Sequence, residues 1–212
     1  MVVADRRYRD GSSLMATASA TLSKEKGRPT GWWGMMLFIA TEATLFGVLF
    51  ASYFYIRFKG TPVWPPDGIH APDLVLPLVM TGILLSSSLP MVLAERALKR
   101  DNMTWVKIGL AVTFVLGATF LVMQLSIEYP EKLKEFTPQT DAYGSFFYTI
   151  TGFHGAHVAV GLAMNLWTQV KVWRGRIDSS HALTLENSAV YWHFVDVVWI
   201  FVLSALYLAP HF

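Results

Sequence analysis

YGSFFYTITGFHGAHVAVGLAMNLWTQV, residues 143–170, has no formal charge along its length, yet it holds two histidines, His154 and His157. The run exceeds the roughly 20 residues that a helix needs to cross the hydrocarbon core of a bilayer. Two imidazoles in what reads as lipid need partners. A metal ion, a haem, a proton relay and a polar contact between helices are the candidates.

The rest of the chain sets the context. Four other stretches are apolar and of similar length: 31–56 contains one charge, Glu42; 74–94 and 108–127 contain none; 187–208 contains Asp196 and His193. Trp32, Trp33, Tyr53, Tyr55, Trp105 and Trp173 fall towards the ends of these stretches, where amphipathic rings favour the membrane interface. Small residues recur at Gly82, Gly109, Gly117, Gly152, Gly155 and Gly161, which lets helices approach closely. The pattern predicts an all-α polytopic membrane bundle of five transmembrane helices (about 31–56, 74–94, 108–127, 143–170 and 187–208), preceded by a flexible cytoplasmic tail over 1–30.

Composition agrees. The chain is 53% hydrophobic and 15% charged, with a mean hydropathy of +0.40; a soluble domain carries about 25% charged residues. There is no cysteine, which removes disulfides, iron–sulfur clusters and thiolate-ligated zinc or copper. A net charge of +2 gives no footing for nucleic-acid binding. Lys and Arg instead report topology. Thirteen lie in the tail, the second and the fourth connections, against four in the first and third (Arg57, Lys59, Lys132, Lys134). That asymmetry puts the N-terminus in the cytoplasm and the C-terminus outside. The outer connections, "RFKGTPVWPPDGIHAPD" and "EYPEKLKEFTPQTDA", read as ordered caps. Pro90, inside the second span, is expected to kink it, with Ser86, Ser87 and Ser88 re-satisfying the freed backbone groups.

Five ionisable groups lie within the spans. Glu42 falls roughly 16 Å along its helix, near the middle of a core about 30 Å thick, so it must face protein, polar lipid or water. His154 and His157 are spaced i, i+3 and share a face, as do His193 and Asp196; His193 is placed to donate a ring N–H to Asp196 and fix its own tautomer. A carboxylate-bridged di-metal bundle wants two Glu-x-x-His helices and two further Glu. Here one buried Glu is expected and no span holds Glu-x-x-His. A bis-histidine haem lacks ligands too, since only two spans carry histidine. Polar contacts between helices, and a proton- or lipid-associated role for Glu42, remain open. His70, His181 and His211 fall in connections or at the end, where solvated roles suffice.

Several motifs in order then point to a family. "TGFHGAHVAVG" (151–161) and "ENSAVYWHFVDVVWIFVLSALYL" (186–208) resemble the last two helices of subunit III of haem–copper oxidases. "LFIATEATLFGVLFASYFYIR" (37–57) resembles that family's helix with the buried glutamate, and "WPPDGI" (64–69) its outer loop. The resemblance implies an accessory subunit without a redox centre, packed against the catalytic subunit of a cytochrome c or quinol oxidase. Haems and copper would sit in partner chains, subunits I and II, with cytochrome c or a cytochrome bc complex as indirect partners. Structural phospholipid would be held by this chain. By motif match, Glu42 is the family's intramembrane carboxylate near the lipid-bearing, proton-uptake region, and His154, His157, His193 and Asp196 match its polar positions with no metal role. Full-length members have seven helices; this chain matches the last five, a bacterial pattern that implies a bacterial plasma membrane. A proton or ion transporter and a nitric oxide reductase subunit are the competing readings.

Overall fold

A computed structural model describes residues 28–59, 64–65, 73–177 and 182–211. Residues 1–27, most of the WPPDGI loop, His70 and His181 lie outside the described residues, as does almost all of the expected tail. Helix α1 is Thr30–Lys59, α2 Val75–Leu98 and α3 Met103–Met123; a π-helical turn, Gln124–Glu128, joins α3 to α4, Tyr129–Glu135. Helix α5 is Ala142–Trp173, and α6, Leu183–Val202, runs on through a π-helical segment, Leu203–Leu208, and a 3₁₀ turn, Ala209–His211. Among the described residues there is no strand.

Local chemistry sets the ends. Asn102 caps α3, its side chain accepting the Trp105 backbone N–H at 3.4 Å, and Asp141 caps α5 by accepting from Gly144 N–H at 2.7 Å, each satisfying a donor that the first turn leaves free. Gly175, at φ +64°, ends α5 in the left-handed region that glycine enters without penalty. Helix α2 passes through Pro90 unbroken. The serines before it do not fill the gap as expected: Ser86 and Ser87 donate to the carbonyls of Ile83 and Leu84, and Ser88 reaches another helix. What the Pro90 turn provides is a close approach. A Cβ on Gly109 of α3 would meet the Pro90 carbonyl oxygen at 2.5 Å and Ala94 Cβ at 2.9 Å.

The long helices alternate in direction. Lys107 of α3 lies over the Trp173 ring of α5 at 5.1 Å, and Asn187 of α6 donates to Gly31 of α1 at 3.2 Å, which gathers one set of ends. At the opposite end Tyr143 donates to Leu206 O at 3.0 Å and Arg57 to Ala209 O at 2.7 Å. Among the described residues four helices are long and apolar enough to cross a bilayer: Thr30–Lys59, Val75–Leu98, Met103–Glu135 and Leu183–His211. The 32-residue α5 is longer than all of these except Met103–Glu135, but its histidines and Asn165 dilute its apolarity. They face inward, because α5 is packed between α3 and α6.

Apolar side chains such as Leu37, Val48, Phe58, Leu89 and Val115 are exposed along the outside. The interior is aromatic: Trp192, Trp199, Tyr143, Tyr207, Phe120 and Phe147 are fully buried. Helix α1 lies at the margin, burying only Phe46 and Tyr53 against α5 and α6. Trp33, Tyr55, Trp105 and Trp173 are exposed near helix ends, as interface anchoring requires. Tyr53 is not an anchor. It is buried, donates to Ala205 O at 3.0 Å and accepts from Trp64 Nε1 at 3.0 Å, tying α1 to the π-helical segment.

Candidate functional site

The polar side chains inside the bundle form separate clusters. The first joins α1 to α5. His157 Nε2 lies 2.9 Å from Glu42 Oε2, and its Nδ1 lies 2.6 Å from the carbonyl oxygen of Phe153. A carbonyl only accepts, so Nδ1 carries a hydrogen. One proton is then shared across the Nε2···Oε2 contact, as a neutral acid–imidazole pair or as a carboxylate–imidazolium pair. The Phe46 ring meets the imidazole edge-on, with centroids 5.0 Å apart, and the Tyr191 hydroxyl donates to His157 O at 3.4 Å. The pair is not sealed: the His157 and Glu42 side chains are 13% and 21% exposed. Beside it an apolar groove of ≈ 330 Å³ runs between α1 and α6, lined by Ala43, Phe46, Gly47, Phe50, Phe194 and Phe201 among others.

His154 goes elsewhere. Residues at i, i+3 lie about 60° apart around a helix with 3.6 residues per turn, so each meets a different neighbour. His154 is fully buried, its ring 4.9 Å from that of Trp199 and 5.8 Å from that of Phe120. Among the described residues neither of its nitrogens has a hydrogen-bond partner.

The third cluster joins α2 to α6. His193 Nδ1 and Asp196 Oδ2 are 4.0 Å apart, too far for the direct hydrogen bond that their spacing suggests. Ser88 stands between them. Its hydroxyl donates to Asp196 Oδ2 and lies 3.1 Å from His193 Nδ1, so it accepts the ring N–H. Two indoles on α6 bind the same helix: Trp192 Nε1 donates to Ser87 Oγ at 2.9 Å and Trp199 Nε1 to Thr81 Oγ1 at 2.8 Å.

A fourth cluster was not anticipated. Glu42 is not the only glutamate inside: Glu128 is 1% exposed, with Oε1 accepting from the Tyr207 hydroxyl and Oε2 without a partner among the described residues. Both members of this pair lie in π-helical segments, a geometry that recurs at functional sites. Close by, Gln124 Nε2 donates to Thr151 O at 2.9 Å, and the Tyr129 and Thr151 hydroxyls meet at 3.1 Å. The "EYPEKLKE" start of the outer connection is therefore helix. The available signal was its composition, which holds good helix formers once Pro130 occupies a first-turn position.

The His157 ring is engaged at both nitrogens, aromatic rings close on His154, and no group of three His, Asp or Glu converges among the described residues.

Fold and site together define a multi-pass helical membrane protein whose polar groups hold helices to one another. The chain belongs to the cytochrome c oxidase subunit III family: residues 16–210 match the family described as Cytochrome c oxidase subunit III. Among curated relatives, Cytochrome c oxidase subunit 3 of Osphranter robustus is 37% identical over 180 residues, covering 82% of this chain and 68% of the relative. The same figures hold for the proteins of that name from Equus caballus and Aepyceros melampus.

Proposed function

We propose that this chain is the non-redox accessory subunit of a terminal haem–copper oxidase, stabilising the catalytic subunit, holding structural phospholipid and supporting proton uptake during aerobic electron transport. The observation that carries the reading is the Glu42–His157 pair. A carboxyl and an imidazole share a proton across α1 and α5, partly open to the surroundings and next to an apolar groove. The Phe153 carbonyl holds the imidazole in one orientation towards the carboxyl. The groove is suited to an acyl chain.

In this reading haems and copper reside in subunits I and II, with cytochrome c or a cytochrome bc complex met only through them, and no nucleic acid is involved. All five long helices cross the membrane, α5 included, since its polar residues are covered by its neighbours. The excess of Lys and Arg in the sequence before α1 and in the α2–α3 and α5–α6 connections supports an N-terminus in the cytoplasm and a C-terminus outside. The proposed setting is a multi-pass position in a bacterial plasma membrane; the relatives quoted above are mammalian.

The test is oxygen uptake by the purified oxidase with this subunit intact, removed, or carrying Glu42→Gln. The expected result is a normal initial rate that decays faster with turnover when the subunit is absent or altered. Identical time courses in all three would overturn the proton-uptake role.

A further inference from the structure

The turn between α2 and α3 carries a feature that the polar clusters do not use. A cavity of ≈ 420 Å³ opens there, lined by Leu93, Arg96, Ala97, Arg100, Asn102 and Trp105, within the roughly 300–1,000 Å³ range of small-molecule sites. Arg96, in the last turn of α2, and Arg100, two residues past the end of that helix, both line the same mouth. Neither forms a hydrogen bond or ion pair among the described residues. The other cation near this turn whose contacts are defined, Lys107, lies over the Trp173 ring.

The floor and the approach are apolar. Leu93 and Trp105 are 52% and 56% exposed. Below Leu93 the exposed residues Leu89 and Leu85 continue at four-residue intervals down α2, and below Trp105 the exposed residues Ile108, Val112 and Val115 continue down α3. Two parallel apolar stripes thus run from a pair of unpaired guanidinium groups into the hydrocarbon zone. Trp105 sits at their junction, at the level where indoles favour the interface.

We propose that this cavity binds an anionic phospholipid, the phosphate of the headgroup between Arg96 and Arg100 and one acyl chain along the α2–α3 stripes. Guanidinium groups suit phosphate because their paired N–H donors match two of its oxygens. Basic pockets between transmembrane helices at the membrane surface take such headgroups in general. A free phosphate ion would use the two arginines and leave the stripes idle; a zwitterionic lipid would use the stripes and bring an ammonium group against two cations. The inference does not depend on the oxidase reading, because lipid retention is measured whether or not other subunits accompany the chain.

The experiment takes the full chain, with any subunits that copurify, in mild detergent and counts bound lipid by native mass spectrometry. The probes are phosphatidylglycerol, phosphatidylcholine and inorganic phosphate. Phosphatidylglycerol should bind where phosphatidylcholine at the same concentration does not, and millimolar phosphate should not displace it. Arg96→Gln with Arg100→Gln should weaken phosphatidylglycerol binding about thirtyfold, the effect of removing two cations at a membrane surface. Arg174→Gln with Arg176→Gln, at the neighbouring turn, should change it little. Both arginines are exposed, so the fold should survive; should the Gln pair misfold, Arg96→Lys with Arg100→Lys must still retain selectivity for the anionic lipid. Equal retention by the Gln pair, equal binding of phosphatidylcholine, or displacement by phosphate would each overturn the proposal.

Discussion

Trp192 offers the sharpest test of the packing. Its indole is fully buried and occupies a slot between two glycines, Gly117 of α3 and Gly161 of α5. A Cβ on Gly117 would run into Trp192 Cη2 and stand 2.7 Å from Cζ2 and 3.1 Å from Leu162 Cδ2; one on Gly161 would stand 2.8 Å from Cε3 and 2.9 Å from Cζ3. The ring cannot slide away freely, because its Nε1 donates to Ser87 Oγ at 2.9 Å. Overpacking of this kind costs about 1–3 kcal/mol, and the hard contact on Gly117 puts Gly117→Ala at the upper end. The helix-propensity gain of alanine over glycine, about 1 kcal/mol, offsets part of that. Gly117→Ala should therefore lose about 1–2 kcal/mol net.

Gly82 is the control. Nothing lies within 4 Å of its Cβ position, so Gly82→Ala should be neutral or gain up to about 1 kcal/mol. The assay is reversible unfolding in mixed micelles with increasing denaturing detergent, followed by near-UV circular dichroism. Trp192→Phe destabilises by itself, but in combination it should remove most of the Gly117→Ala penalty, a coupling that a double-mutant cycle isolates. Gly117→Ala as stable as Gly82→Ala would refute the slot.

Other perturbations address the polar clusters. Ser88→Ala removes the bridge between His193 and Asp196 and leaves a buried carboxylate oxygen unpaired, so it should cost about 1–3 kcal/mol in the same unfolding assay. Tyr207→Phe should cost a similar amount, about 1–3 kcal/mol, by stripping Glu128 of its hydrogen bond; no loss would mean that Glu128 finds another partner. Glu42→Gln should keep stability within about 0.5 kcal/mol, because an amide N–H still serves His157 Nε2. It should also remove one carboxyl band from the infrared difference spectrum taken across a pH step, and an unchanged spectrum would mean that Glu42 does not exchange a proton.

Much of the fold was legible because a bilayer imposes simple demands. Long apolar runs separated by charged turns leave little alternative to helices, and α1, α2 and α6 begin and end close to where hydropathy puts them. The third helix ran further than its apolar stretch, since hydropathy stops at Glu128 while the backbone continues through a π turn to Glu135. Helix α5 is least apolar because its polar side chains turn inward, where composition cannot say what receives them.

The pairings of the polar side chains were not legible in the sequence. The i, i+3 spacing of His154 and His157 put them on one face; which neighbour each would meet depended on α1 and α6, far away in sequence. His193 and Asp196 lie 4.0 Å apart rather than in the direct hydrogen bond expected, and the hydroxyl between them comes from Ser88, 108 residues before Asp196. No local pattern announces such a contact.

The most direct measurement is a tagged purification of this chain in mild detergent, followed by a reduced-minus-oxidised visible spectrum and an oxygen-uptake assay. The account predicts haem absorption from copurifying subunits together with oxygen consumption. A colourless, monodisperse preparation of the chain alone, intact and without oxygen uptake, would contradict it.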